Sequence, residues 1–264
     1  MQDLNITLIQ SPLHWEDASA NRKQFEKKIA TVENQTDLII LPEMFTTGFT
    51  MNPEEVAESP NGVTHQWMLA LAEKTKATIL GSLIISDDSK YYNRLLVVNP
   101  DGTSHHYDKK HLFAYAGEDE AFSAGKERLI FDLKGWKVCP MVCYDLRFPA
   151  WARNSYDANT ESAVYDLLLY VANWPKPRVN AWDVLLTARA IENQTYVAGV
   201  NRIGLDDNKN EYIGHSAIYD FLGDTVANLG ENEGLTTIKL SASAQDAFRK
   251  KLPFLQDGDK FSIL

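Results

Sequence analysis

Val138-Cys139-Pro140-Met141-Val142-Cys143-Tyr144-Asp145-Leu146-Arg147-Phe148-Pro149 begins as an unbroken apolar run and gives way, at Cys143, to a polar turn marked by proline. A run without polar alternation is what a strand covered on both faces requires. A thiol placed where such a strand breaks has the position of an exposed nucleophile. The turn after it lets backbone N–H groups point at a bound oxyanion. Cys139, inside the run, reads as inert core.

Outward from this stretch, strand-like and helix-like segments interleave. Leu4 to Gln10 alternates apolar and polar residues, and Leu38 to Leu41 is uniformly apolar; both read as strands. Between them, residues 17–32 set Phe25, Ile29 and Val32 at helical spacing. Val63, Trp67, Ala70 and Leu71 mark a second helix. Ala77–Ile85 and Arg94–Val98 are strands, the latter ended by the turn Asn99-Pro100-Asp101-Gly102. Leu129–Val142 reads as strand, turn at Gly135, strand, and Asp166–Val171 as another buried strand. Asn180 is placed to cap a helix carrying Trp182, Leu185, Leu186 and Arg189 on one side. Tyr196–Val200 and Ala217–Phe221 continue the series. One α/β domain over residues 1–264 is the simplest reading, and a two-domain reading would need a boundary near 150–165.

The formal charge of −10 argues against a nucleic-acid partner, which needs clustered lysine and arginine. It also disfavours an anionic membrane surface, and no segment has the roughly 18 apolar residues of a span. The N-terminus lacks the features of a signal peptide. The two cysteines lie four residues apart on one strand, so a disulfide is not expected and a reducing cytoplasm fits. On that basis the triplets beginning at Asn5, Asn34 and Asn193 are chance matches to the glycosylation signal.

Two further polar breaks resemble Cys143. Glu43 follows Leu38-Ile39-Ile40-Leu41-Pro42 and precedes Met44-Phe45, a sheltered setting for a base that takes a thiol proton and returns it to a leaving amine. Lys109 sits in Tyr107-Asp108-Lys109-Lys110-His111-Leu112-Phe113. Alternation there sends Lys109 and Lys110 to opposite faces, so only one meets a site. Thiol, carboxylate and amine together are parts for hydrolysing a carbon–nitrogen bond. His111 stays open as the base of a cysteine–histidine hydrolase. His105-His106 lacks companions at metal-ligand spacing, and Gly125-Lys126 lacks the rest of a phosphate loop, so neither metal nor cofactor is expected.

Leu41-Pro42-Glu43-Met44-Phe45, the Lys109 segment and Val142–Pro149, in that order across nearly the whole chain, resemble the nitrilase superfamily of carbon–nitrogen hydrolases. The resemblance implies a four-layer α-β-β-α sandwich, catalytic Glu43, Lys109 and Cys143, and an oxyanion site at the backbone N–H of Tyr144. It also implies a second glutamate between lysine and cysteine; Glu118 and Glu120 are the candidates, and spacing to Lys109 and Gly125 favours Glu118. Asn93-Arg94, Val171–Arg178, Leu186–Gln194 and Lys251-Leu252-Pro253 look most like the bacterial omega-amidases, which act on terminal amides of 2-oxoacids such as 2-oxoglutaramate. Another carbon–nitrogen hydrolase activity and a non-catalytic binding protein remain as alternatives. Trp174 and Arg178 are the expected substrate contacts, beside Arg202 and Arg147, with Arg147 alternatively paired to Asp145 or Glu192. The resemblance implies a homodimer formed through residues 148–158 and 180–194, and no cofactor.

Overall fold

Two six-stranded sheets face each other in the computed structural model, which describes residues 1–32 and 35–262. The triplet beginning at Asn34 lies outside the described residues at that position. The first half of the chain supplies β1 (Leu4–Gln10), β2 (Leu38–Ile40), β3 (Thr78–Asp87), β4 (Lys90–Val98) and β5 (Ser104–Asp108). Next come β6 (Phe131–Leu133) and β7 (Trp136–Val142), then a short ribbon of β8 (Tyr156–Asp157) with β9 (Ser162–Ala163). After β10 (Leu167–Ala172) and β11 (Tyr196–Asn201), a second ribbon pairs β12 (Ile203–Leu205) with β13 (Glu211–Ile213). The chain then makes β14 (Ala217–Tyr219), β15 (Thr225–Asn228) and β16 (Gly234–Leu240). The spatial orders are β16-β1-β2-β3-β4-β5 and β15-β14-β11-β10-β7-β6.

The helices are α1 (Ala18–Ile29), α2 (Pro53–Val56), α3 (Val63–Thr75), α4 (Glu118–Ala121), α5 (Pro149–Ala152), α6 (Val179–Asn193) and α7 (Ala242–Lys251). Strand period two sorts the layers. Leu38, Ile40 and Leu80 join the core between the sheets, while Ile39, Leu41 and Ile79 pack outward on Phe25 and Ile29 of α1 and Met68 and Leu71 of α3. On the other side Trp182, Leu186 and Ala190 of α6 cover the second sheet. Contact there is close: a Cβ on Gly199 would stand 2.5 Å from Leu186 and 2.7 Å from Trp182, so only glycine lets helix and strand meet. The result is the four-layer α-β-β-α sandwich. Among the described residues, no helix is long and apolar enough to cross a membrane.

Several local expectations shift. The first helix ends at Ile29, leaving Val32 outside it. In α3 the buried stripe is Thr64, His65, Met68, Leu71 and Ala72, whereas Val63 is 65% exposed and Ala70 is exposed. Packing on the outer face of the first sheet sets that phase, one residue away from the expected one. Asn180 does not cap α6, because a 3₁₀ turn over Lys176–Arg178 already leads into the helix and leaves Asn180 within its first turn. Asn193 is fully buried, which closes its side chain to modification.

Candidate active site

β1, β2 and β3 run parallel in one sheet and β7, β10 and β11 in the other. Ligands in sheets of this kind gather beyond the carboxyl ends of the strands. Glu43 lies just past β2, Cys143 directly past β7, and Asn173 directly past β10. Met44 (φ 43°) and Cys143 (φ 44°) are both in the left-handed region. Each costs a non-glycine residue about 1–2 kcal/mol. Met44 is held by its N–H donating to Ser82 Oγ (2.9 Å), and the Cys143 turn by the Val142 N–H donating to Asp145 Oδ2 (3.0 Å).

The three residues expected to be catalytic meet, and Glu118 joins them. Lys109 Nζ donates to Glu43 Oε1 (2.9 Å) and to Glu118 Oε1 and Oε2 (2.9 and 2.8 Å). All three side chains are buried; Glu120 is exposed and takes no part. Glu118 also accepts the Phe113 N–H at 2.6 Å. The end of β5 must be held tightly for this. Arg94 grips Asp108 through two hydrogen bonds (2.7 and 3.0 Å), and the Gly125 N–H donates to the Lys109 carbonyl at 2.9 Å. A Cβ on Gly125 would stand 2.0 Å from the Asp108 carbonyl oxygen, so the close approach requires glycine.

Sequence reasoning missed the residues that orient Glu43. The Asn173 backbone N–H donates to Glu43 Oε2 (2.8 Å), and its side-chain amide donates to the Glu43 carbonyl (2.7 Å). Asn93 Nδ2 donates to Glu43 Oε1 (2.8 Å) and Glu118 Oε1 (3.1 Å), and its own oxygen accepts from Ser82 Oγ (2.8 Å). One signal was available: Asn173, like Cys143, is a polar residue straight after an uninterrupted buried strand.

Electrostatics fit a resting, protonated thiol. Burial pushes the Cys143 thiol well above its ordinary range, the Glu43 charge adds to the rise, and Lys109 pulls the other way. Burial alone would lower Lys109, but the Glu118 and Glu43 charges outweigh it and hold the ammonium firmly protonated. Burial likewise raises Glu118, against the pull of Lys109. Cys139 is pushed up to about 12 by burial, as suits inert core. Cys143 is not exposed as the turn suggested. It is 9% accessible and opens onto a cavity of about 300 Å³, whose lining includes Lys109, Phe49 and Phe113.

The same cavity is lined by Tyr144, Trp174, Arg147 and Arg178. Tyr144 is the second residue of the 3₁₀ turn Cys143–Arg147, whose first N–H groups have no partner within the turn. Trp174 is 3% exposed and donates from Nε1 to the Arg178 carbonyl at 2.7 Å. Arg178 lies over Phe113 (5.3 Å) and Arg147 over Trp174 (4.8 Å). Arg147 makes neither expected ion pair. Asp145 is taken up by Tyr107, His111 and Val142, and Glu192 by Arg189 at 3.0 Å. Arg202 is buried behind the cavity and donates to the Ile203 and Leu205 carbonyls, a structural role. His111 is engaged with Asp145 and does not line the cavity.

A sequence model described as carbon-nitrogen hydrolase matches residues 5–250. The chain belongs to this family. This carbon–nitrogen hydrolase is 46% identical to an omega-amidase, YafV, of Yersinia enterocolitica, with all of both chains covered. It is 34% identical to a 2-oxoglutaramate amidase of Bacillus subtilis, over 96% of each. Among solved structures, it is similar to XC1258 from Xanthomonas campestris, a CN-hydrolase superfamily protein with an arsenic adduct in its active site. That match has 42% identity, a TM-score of 0.98 and complete coverage of both chains.

Proposed function

We propose that the chain is an omega-amidase, hydrolysing the terminal amide of 2-oxoacid monoamides such as 2-oxoglutaramate to the dicarboxylate and ammonia. The observation that carries this reading is the charge of the cavity lining. Arg147 and Arg178 line it beside Lys109, whose own charge is balanced by Glu43 and Glu118, and among the described residues no aspartate or glutamate lines it. A protein of net charge −10 thus presents cations to its ligand, which suits a substrate anionic at the end away from the amide. The absence of a lining carboxylate disfavours a 2-ammonium group at that end, as in an ordinary amino-acid amide.

In this reading Glu43 takes the Cys143 proton as sulfur attacks the amide carbon. The oxyanion is met by Lys109 Nζ and the Tyr144 N–H, and oriented donors of this kind are worth about 3 kcal/mol each. Glu43 passes the proton to nitrogen, ammonia leaves, and a thioester remains on Cys143. Glu118 holds Lys109 and helps place the water that releases the product. No step calls on a cofactor. Ammonia release measured across 2-oxoglutaramate, N-carbamoyl amino acids and nitriles tests the assignment. The expected result is turnover of the first far above the others, with Arg178→Ala raising KM for 2-oxoglutaramate about 10–100-fold, the worth of a charge-assisted hydrogen bond. Faster turnover of a carbamoyl compound or nitrile would move the enzyme to that class. No acyl-enzyme mass with any amide would favour a binding protein.

The remaining features belong to the same proposal. Residues 1–264 act as one domain, supported by β16 closing the first sheet beside β1. The free cysteines Cys139 and Cys143 suit a reducing cytoplasm. Two copies pair through residues 148–158 and 180–194, where Val184 and Ile191 of α6 are 57% and 52% exposed. Light scattering should give twice the chain mass; a monomer at micromolar concentration would refute the pairing.

A further inference from the structure

We propose that Asp145 is a positioning residue that sets the spacing between the Cys143 thiol and the Lys109 ammonium. The inference rests on the catalytic reading of those two groups. They come from different sheets, Lys109 following β5 and Cys143 following β7, so something must lock one strand end to the other.

Asp145 is completely buried, and its carboxylate accepts four hydrogen bonds. Oδ1 takes the His111 backbone N–H (3.0 Å) and His111 Nδ1 (2.8 Å). Oδ2 takes the Tyr107 hydroxyl (2.7 Å) and the Val142 backbone N–H (3.0 Å). An ionised carboxylate only accepts, so His111 carries its proton on Nδ1. Tyr107 and His111 stand two residues before and two after Lys109, and Val142 immediately precedes Cys143. One side chain therefore pins the peptide on both sides of the lysine and the peptide leading into the left-handed cysteine.

The partners are themselves fixed. The Tyr107 oxygen accepts from Trp151 Nε1 (3.0 Å) and the Lys110 N–H (3.2 Å). The His111 ring stacks on Phe148 with centroids 3.7 Å apart. This histidine–aspartate pair has the look of a catalytic dyad, yet both members are used up in holding the frame.

Asp145→Asn tests the assignment, since its NH₂ would face donors where an acceptor is needed. A misplacement of about 1 Å costs roughly 100-fold in rate. We therefore expect kcat, per titratable Cys143 thiol in folded protein, to fall about 100-fold while KM stays within about threefold. A purely structural role would lower the folded fraction and leave kcat per folded thiol unchanged. Should that variant not fold, Tyr107→Phe and His111→Phe each remove one donor and keep the ring, and each should lower kcat about tenfold. Wild-type kcat per thiol in Asp145→Asn, or in both ring variants, overturns the proposal. Turnover that does not depend on Cys143 would instead overturn the catalytic reading beneath it.

Discussion

Replacing Cys143 by alanine should leave a folded protein whose ammonia release falls on the order of 10⁶-fold, the scale seen when a covalent nucleophile is deleted. Folding should survive because the resting thiol is neutral and buried, so no charge loses its partner. The lost sulfur costs about 1 kcal/mol of packing. The left-handed backbone at this position is as open to alanine as to cysteine. Intact-mass measurement separates the causes: wild type mixed with substrate should gain an acyl adduct, and the variant none. Near-normal amidase activity in Cys143→Ala would rule out the covalent route.

Glu43→Gln should be nearly as inactive, with turnover down about 10³–10⁴-fold, the upper range for loss of a general base. Its thiol should nevertheless become more reactive toward iodoacetamide. In the wild type the Glu43 charge raises the Cys143 thiol above the position burial alone gives it, and Lys109 opposes both. Glutamine removes that anion and keeps the lysine, so the thiol's proton affinity falls and the thiolate fraction at neutral pH rises. The alkylation rate plotted against pH should shift toward lower pH as turnover disappears. Alkylation that slows in step with turnover would mean that Glu43 acts by holding the pocket together.

The order of elements was legible because buried strands announce themselves. Leu38–Leu41 and Val138–Val142 have no polar alternation, and each ends at a chemically distinctive residue. Their pairing into two facing sheets was not legible from periodicity, since a doubly wound sheet uses the same strands; the resemblance to the family carried that step. β16 escaped notice because its residues Leu235-Thr236-Thr237-Ile238 are only half-buried at a sheet edge, which weakens the pattern. α7 was hidden by its largely polar sequence.

At the site, Glu43, Lys109 and Cys143 stood out, whereas it took the structure to put Glu118, and not Glu120, in contact with Lys109. The roles of Asn93 and Asn173 did not stand out, because an asparagine within a strand or just past one is ordinary until its partner across the molecule is known. The arginines show the same limit from the other side. Arg147, Arg178 and Arg202 were equivalent as letters, and only position divided them into two cations facing the cavity and one holding carbonyls behind it.

The pairing of β16 with β1 has a consequence for synthesis. Thr7 waits for Thr237, 230 positions later, to receive its 2.8 Å hydrogen bond. While the ribosome is still working, one edge of the earliest strand has no neighbour, and such an edge is the template on which stray chains aggregate. The nascent polypeptide therefore stays vulnerable until β16 has been made and can pair, and chaperones have most to guard during that interval.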